Sequence, residues 1–255
     1  MHKAINEAKV HSNWINPNDA YAQAIADFVT TIWQDEELRA SFDEFHERIA
    51  YFGRFNSLAQ VLLKLTSPGV PDIYQGTELW DFSLVDPDNR RPVDFERRHA
   101  LLTEIQEQEQ ADRLALAQAL LEDAPSGRIK LYLTYRILDY RRRQEALFRQ
   151  GRYLPLPAEG DLAEHVCAFA RQDETEAVLT IAPRFSVILA HGQKLPPMGD
   201  LWEDTRLPLP AGWAGHGLEN LLTGEIIEPT VEEGKPFLPL AAALAVWPVA
   251  FFARR

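Results

Sequence analysis

Only one of the 255 residues is a cysteine, Cys167, so the chain cannot close an internal disulfide. That suits a reducing compartment, and the expected location is the cytoplasm. Basic residues are outnumbered as well: 26 Lys and Arg face 38 Asp and Glu, for a net charge of −12. Without a basic surface to displace counterions from phosphates, neither nucleic acid nor an anionic membrane is an expected partner. No apolar run approaches the roughly 20 residues that span a bilayer. The opening MHKAINEAKV has no signal-peptide core. Internal repeats and low-complexity tracts are absent. No His, Cys and Asp set has zinc spacing, and no glycine-rich loop suits a phosphate. Neither metal nor cofactor is expected.

What remains is the composition of a globular protein, 46% hydrophobic and 25% charged. The pattern changes near residue 151, and two parts are expected, 1–151 and 152–255. In the first, NPNDAYAQAIADFVTTIW reads as a helix start, with Asn16 as cap, Pro17 in the first turn and Asp19 adding negative charge there. A second helix is expected from about Phe42 to Leu65, with Ile49, Phe52, Phe55, Leu58, Leu62 and Leu65 on one apolar face. Gly53 is a candidate kink or close contact within it. After SPG, the stretch VPDIYQG reads as a short strand with Pro71 at its start. Further helices are expected from near Pro92 or Asp94, from Asp112 to Leu121, and through RIKLYLTYRILDYRRRQEALFRQ. Leu133, Ile137 and Tyr140 mark the buried face of the last, and Gly151 is its expected C-terminal cap.

The second part contains HVCAFARQ, AVLTIAPRF, ENLLTGEIIE and AAALAVWPVAFFAR. These read as short strands, with Thr223-Gly224 as a hairpin tip, and suggest a small antiparallel β-sandwich.

The chemistry-bearing stretch is SPGVPDIYQGTELWDFSLVDPDNRRPVDF, residues 67–95. Tyr74, Gln75, Glu78, Trp80, Asp81, Asp86, Asp88, Asn89, Arg90 and Arg91 fall within it. Carboxylates accept from sugar hydroxyls, Asn and Arg complete such a network, and Trp and Tyr cover ring faces. A strand, a polar loop and a helix would also put these groups at the C-terminal end of the strand, where (β/α) barrels carry their sites. The plainer reading is a salt-bridged turn in which Arg91 pins Asp86 or Asp88. Elsewhere, Cys167 reads as a core residue, His191 and His216 as surface turns, and DYRRRQ as a solvated helix face near Glu145. Trp202 and Trp213 read as domain packing or, alternatively, as platforms stacking on a glucan.

LLKLTSPGVPDIYQGTELWDFSLVDPDNRRPVDFERR resembles the block that marks the maltooligosyltrehalose synthases, a family of the α-amylase (glycoside hydrolase 13) superfamily. AKVHSNWINPNDAYAQAIADFV, NSLAQVLLKL, GRIKLYLTYRILDYRR and GDLWEDTRLPLP resemble other parts of the same family, so the likeness covers essentially the whole chain. It implies an α+β fragment: the C-terminal end of a (β/α)8 barrel, with strand 8 and mostly helices, followed by the β-sandwich. The implied parent activity is that of an isomerase in trehalose biosynthesis. It converts the reducing-end α-1,4 linkage of a maltooligosaccharide to α,α-1,1 by intramolecular transglycosylation, with two carboxylates in a retaining mechanism.

Those carboxylates are not expected in this chain. The family's nucleophile signature is Gly-Phe-Arg-x-Asp, and the only Arg-x-Asp here is Arg171-Gln172-Asp173. The strand 7 signature is His-Asp, and none of the seven histidines precedes an aspartate. Glu78 and Asp86 fill neither catalytic role in the family. The expectation is therefore a C-terminal portion, inactive alone, whose partners are an α-glucan and the missing N-terminal part of the barrel. Alternatives are a non-catalytic carbohydrate-binding accessory fragment, one half of a split enzyme, or a different α-amylase-family transferase or hydrolase.

Overall fold

The computed structural model describes residues 1–83 and 91–255. It is an α+β protein with two compact units, Met1–Tyr51 and Phe52–Arg255. None of its described helices is long and apolar enough to cross a membrane.

The first unit holds α1 (His2–Ala8), α2 (Asp19–Gln34) and the start of α3 (Glu36–Thr66). The cap of α2 is Asn18 rather than Asn16: its side chain accepts from the Tyr21 N–H at 3.0 Å. Asn13 and Ser12 instead organise the turn before it, accepting the N–H groups of Asn16 and Asn18. The start of α3 lies six residues ahead of the expected Phe42, because Asp35 accepts from the Leu38 N–H at 3.0 Å and supplies the cap. Leu38, Phe42, Phe45 and Ile49 recur at helical spacing, yet Phe42 is 51% and Phe45 63% exposed. Phe28 and Trp33 on α2 are likewise exposed. The exposed apolar row along α3 marks an interaction face. The chain is therefore expected to brighten a hydrophobic dye, and Phe42→Glu with Phe45→Glu to reduce that signal. Fluorescence titration of the two proteins checks it, with equal signals the adverse result.

The second unit begins in the buried half of α3, where Phe52, Phe55, Leu58, Leu62 and Leu65 face inward. Gly53 lies on its exposed side with nothing within 4 Å of a Cβ, and the helix runs through it uninterrupted. Then come α4 (Phe95–Ala111), α5 (Arg113–Glu122), α6 (Arg128–Arg143) and α7 (Glu145–Gln150). Asp94 and Asp112 cap α4 and α5. The expected single long helix is broken at Gln144 into α6 and α7. Leu133, Ile137 and Tyr140 are buried as read, but α6 buries groups all around its circumference. Gly151 follows α7 without the left-handed cap, at φ −59°. Glycine is needed there for close approach: a Cβ would lie 2.3 Å from Leu147 O.

Beyond it stand β1 (Arg152–Pro155), β2 (Val166–Gln172), β3 (Ala177–Pro183), α8 (Ser186–Leu189), β4 (Arg206–Pro208), β5 (Leu218–Asn220), β6 (Ile226–Ile227), β7 (Thr230–Glu232), β8 (Lys235–Pro239), α9 (Leu240–Ala243) and β9 (Ala250–Arg254). Two antiparallel sheets result, β1-β2-β3-β9-β5-β6 and β4-β8-β7. AAALAVWPVAFFAR supplies α9 and β9 rather than one strand. The β5–β6 hairpin turns through Thr223-Gly224, with Gly224 at φ +82°.

All seven residues of β3 are buried, because the larger sheet is covered on both faces. Val178 and Ala182 of β3, with Phe251 and Ala253 of β9, join the cluster built by the helices. Ala177, Leu179 and Ile181, with Ala250 and Phe252, join Leu207 and Leu238 of the smaller sheet in a second cluster. Helix gives way to strand near residue 151, but the buried core runs across that point.

Candidate functional site

VPDIYQG is not a strand. Residues 70–76 pair with no strand among the described residues, and the cause is physical: a strand exists through its ladder, and every strand described lies beyond residue 151. The carbonyl of Gly76 and others just before and after the stretch are taken by cationic side chains instead. Arg141 of α6 donates to Leu65 O at 2.9 Å and to Gly69 O. Arg98 of α4 donates to Gly76 O at 2.8 Å, to Asp94 O, and to Glu78 Oε2 at 2.9 Å. Lys130 of α6 donates to Leu79 O at 3.1 Å. A turn at residues 74–77 is closed by the Thr77 N–H and hydroxyl, both donating to Tyr74 O.

Trp80 is set into the start of α6. Its indole Nε1 donates to Ala124 O at 2.8 Å, and Gly127, at φ +84°, leaves room where a Cβ would press to 3.0 Å from Trp80 N. Asp81 is exposed and accepts from the Ser83 N–H at 2.9 Å. Hydrogen bonding by Ser83 holds its carboxyl below the ordinary value, with help from the charges of Lys130 and Arg98.

These groups frame an open cavity of about 230 Å³, lined by Gln75, Trp80, Asp81, Ser83, Arg91, Asp94 and Arg98 among others. That is below the 300–1,000 Å³ typical of small-molecule sites and scaled to a single small ring. Of the sequence candidates, Gln75, Trp80, Asp81 and Arg91 meet there. Tyr74 is 46% exposed and does not line it, and Glu78 stands behind it, tied to Arg98. Asp86, Asp88, Asn89 and Arg90 lie outside the described residues. So does the alternative pinning of Asp86 or Asp88 by Arg91. Arg98 and Lys130 escaped the sequence reading. Arg98 does carry a signal, four residues after the capping Asp94, where it reaches back over the first turn. Lys130 carries none.

Trp202 and Trp213 are buried in the second cluster, with indoles donating to Pro197 O and to Gln172 Oε1. They offer no exposed stacking face. Cys167 is half-buried on β2. His191 and His216 are exposed. In DYRRRQ, Arg142 and Arg143 pair with Asp139 while Arg141 turns inward, and Glu145 pairs with Arg149. Among the described residues no cluster of three or more His, Cys, Asp or Glu is arranged for a metal.

No family model matches the chain. Over 210 residues, 82% of its length, it is 36% identical to proteins of two Mycobacterium tuberculosis strains assigned as maltooligosyl trehalose synthase. The chain belongs to the maltooligosyltrehalose synthase family. It spans about a quarter, 23%, of those curated relatives. Over 99% of the chain, its backbone matches the solved maltooligosyltrehalose synthase of Arthrobacter ramosus, with a TM-score of 0.78 and 30% identity, covering 29% of that protein. A solved glycosyltrehalose synthase, DSM5389, matches over the whole chain at a TM-score of 0.66 and 28% identity, covering 28% of that chain.

Proposed function

We propose that this chain is the C-terminal portion of a maltooligosyltrehalose synthase of the α-amylase superfamily. In this reading the first part, through residue 151, ends a (β/α)8 barrel, and the second forms a C-terminal β-sandwich. The parent protein converts the reducing-end α-1,4 linkage of a maltooligosaccharide to α,α-1,1 by moving the terminal glucose within one site, and it works in the cytoplasm. The N-terminal part of the barrel supplies the nucleophile and the acid, and covers the exposed apolar faces of α2 and α3. The cavity between Trp80, Asp81 and Arg91 holds the freed glucose while it turns. Asp81 accepts hydrogen bonds from sugar hydroxyls and Arg91 donates them, and transfer wins over hydrolysis where the completed site keeps water from the intermediate. A guanidinium, with its planar fork of donors, suits holding rather than proton transfer. The observation that carries this reading is the convergence of an ionised carboxylate, a guanidinium and an indole on one ring-sized cavity in a chain of this family.

The test uses the family-length protein. Asp81→Ala and Arg91→Ala are expected to slow transfer and to release more free glucose by hydrolysis. Each lost charged hydrogen bond is worth roughly 1.5–3 kcal/mol, on the order of tenfold to a hundredfold in rate. A lower melting temperature with an unchanged ratio of trehalosyl product to glucose would make these residues braces and remove the cavity from the substrate path.

A further inference from the structure

Lys130 breaks two ordinary rules. It lies in the first turn of α6, where the positive end of the helix dipole disfavours a cation. It is also 8% exposed, and an ammonium that deep normally needs an ionic partner. Among the described residues it has none: its one hydrogen bond goes to Leu79 O. Burial, and then the charge of Lys64, push its pKa down, while Asp81 and Glu78 pull more weakly the other way. A side chain kept against such a cost is a marker of function more often than of stability.

What the ammonium contacts gives that role its content. It bonds the carbonyl immediately before Trp80 and sits 5.7 Å from the centre of the Trp80 ring, within reach of a cation–π attraction. The far edge of the same indole is fixed by Ala124 O. Two points of attachment, one main-chain and one ring-face, therefore set where Trp80 and the following Asp81 stand. Both line the cavity; Lys130 itself does not.

We propose that Lys130 is a positioning residue of the cavity: by clamping Leu79 and the Trp80 ring it aims the indole and the Asp81 carboxylate that a glucose unit meets. The sugar half of this statement rests on the reading of the cavity as a glucan subsite.

Lys130→Met keeps the aliphatic stem and removes the charge and the donor; Lys130→Arg keeps both. In the chain as it stands, the Trp80 indole N–H resonance, assigned by its loss in Trp80→Phe, is expected to shift and broaden in Lys130→Met and to return in Lys130→Arg. An unmoved resonance in a folded Lys130→Met protein overturns the clamp, whatever the cavity binds. The second arm titrates maltotriose well below the melting temperature of each protein. Lys130→Met is expected to weaken binding about tenfold, the scale of one lost charge-assisted hydrogen bond, and Lys130→Arg to recover most of it. A merely structural lysine lowers the melting temperature and leaves the affinity of the folded protein unchanged, which also overturns the proposal. If the unaltered chain fails to bind maltotriose while the indole resonance still responds to Lys130→Met, the clamp stands and the glucan reading fails.

Discussion

Incubated alone with maltopentaose, the chain is expected to give no non-reducing trehalosyl product and no released glucose. A retaining transfer needs two carboxyl groups about 5–5.5 Å apart, one of them with a raised pKa so that it can donate a proton. The described carboxylates beside the cavity are committed to other work. Glu78 is bound by Arg98 at 2.9 Å. Asp94 accepts from the Arg97 N–H and caps α4. Asp81 is held below the ordinary carboxylate pKa, so it stays ionised and is the wrong kind of group for an acid. Addition of the remaining three-quarters of a family-length synthase, as a separate polypeptide, is expected to restore product, because it brings the nucleophile and acid to a preformed wall. Reducing-end assay and chromatography read both results. Turnover by the chain alone would place the chemistry within these 255 residues and overturn the proposed division of labour.

Trp247→Ala is expected to be the most damaging single change in the second unit. The indole is 1% exposed, meets Tyr132 edge-on at 5.7 Å, and donates to Ala117 O at 2.7 Å. Truncating such a side chain costs about 3–5 kcal/mol through lost burial and a residual cavity, and Ala117 O is left without its donor. In a body of about two hundred residues that lowers Tm on the order of 10 °C. Because Trp247 follows the sheet's early strands in sequence yet packs on α5 and α6, helix and sheet signals are expected to fall together. Circular dichroism and near-ultraviolet melts decide this. A sheet that loosens while the helices melt at their original temperature would show two cores divided near residue 151, in place of one that crosses it.

Helices were legible where the signals are local. Asp94 and Asp112 announce their caps in sequence, and the spacing of Phe52, Phe55, Leu58 and Leu62 fixes a buried face. The same logic misassigned the cap of α2, since Asn13, Asn16 and Asn18 are equivalent by type and only the turn geometry selects Asn18. VPDIYQG has strand composition, but a strand is a relation between segments, and the carbonyl of Gly76 within it, with those of Leu79 and Leu65 on either side, goes to Arg98, Lys130 and Arg141, from 22 to 76 residues away. The site was legible as a list of residue types. Its assembly was not, because Glu78 is withdrawn by Arg98, twenty residues away in sequence on α4. Trp202 and Trp213 illustrate the converse. In loops rich in glycine and proline they read as domain packing or, alternatively, as ligand platforms, and their burial in the second cluster decides for packing.

The central place of β9 has a consequence for biosynthesis. It lies between β3 and β5, so residues 250–254 complete the middle of a sheet whose other strands precede them in the chain. A polypeptide leaving the ribosome amino end first must hold β3 and β5 apart until these residues emerge. Phe251 and Ala253 also close the helical cluster, so the inner surface of Tyr140 stays wet until these residues are made. Folding of this unit is thus a late event, gated by the arrival of one five-residue strand, and a nascent chain stalled before it would present greasy helices to the chaperones of the cell.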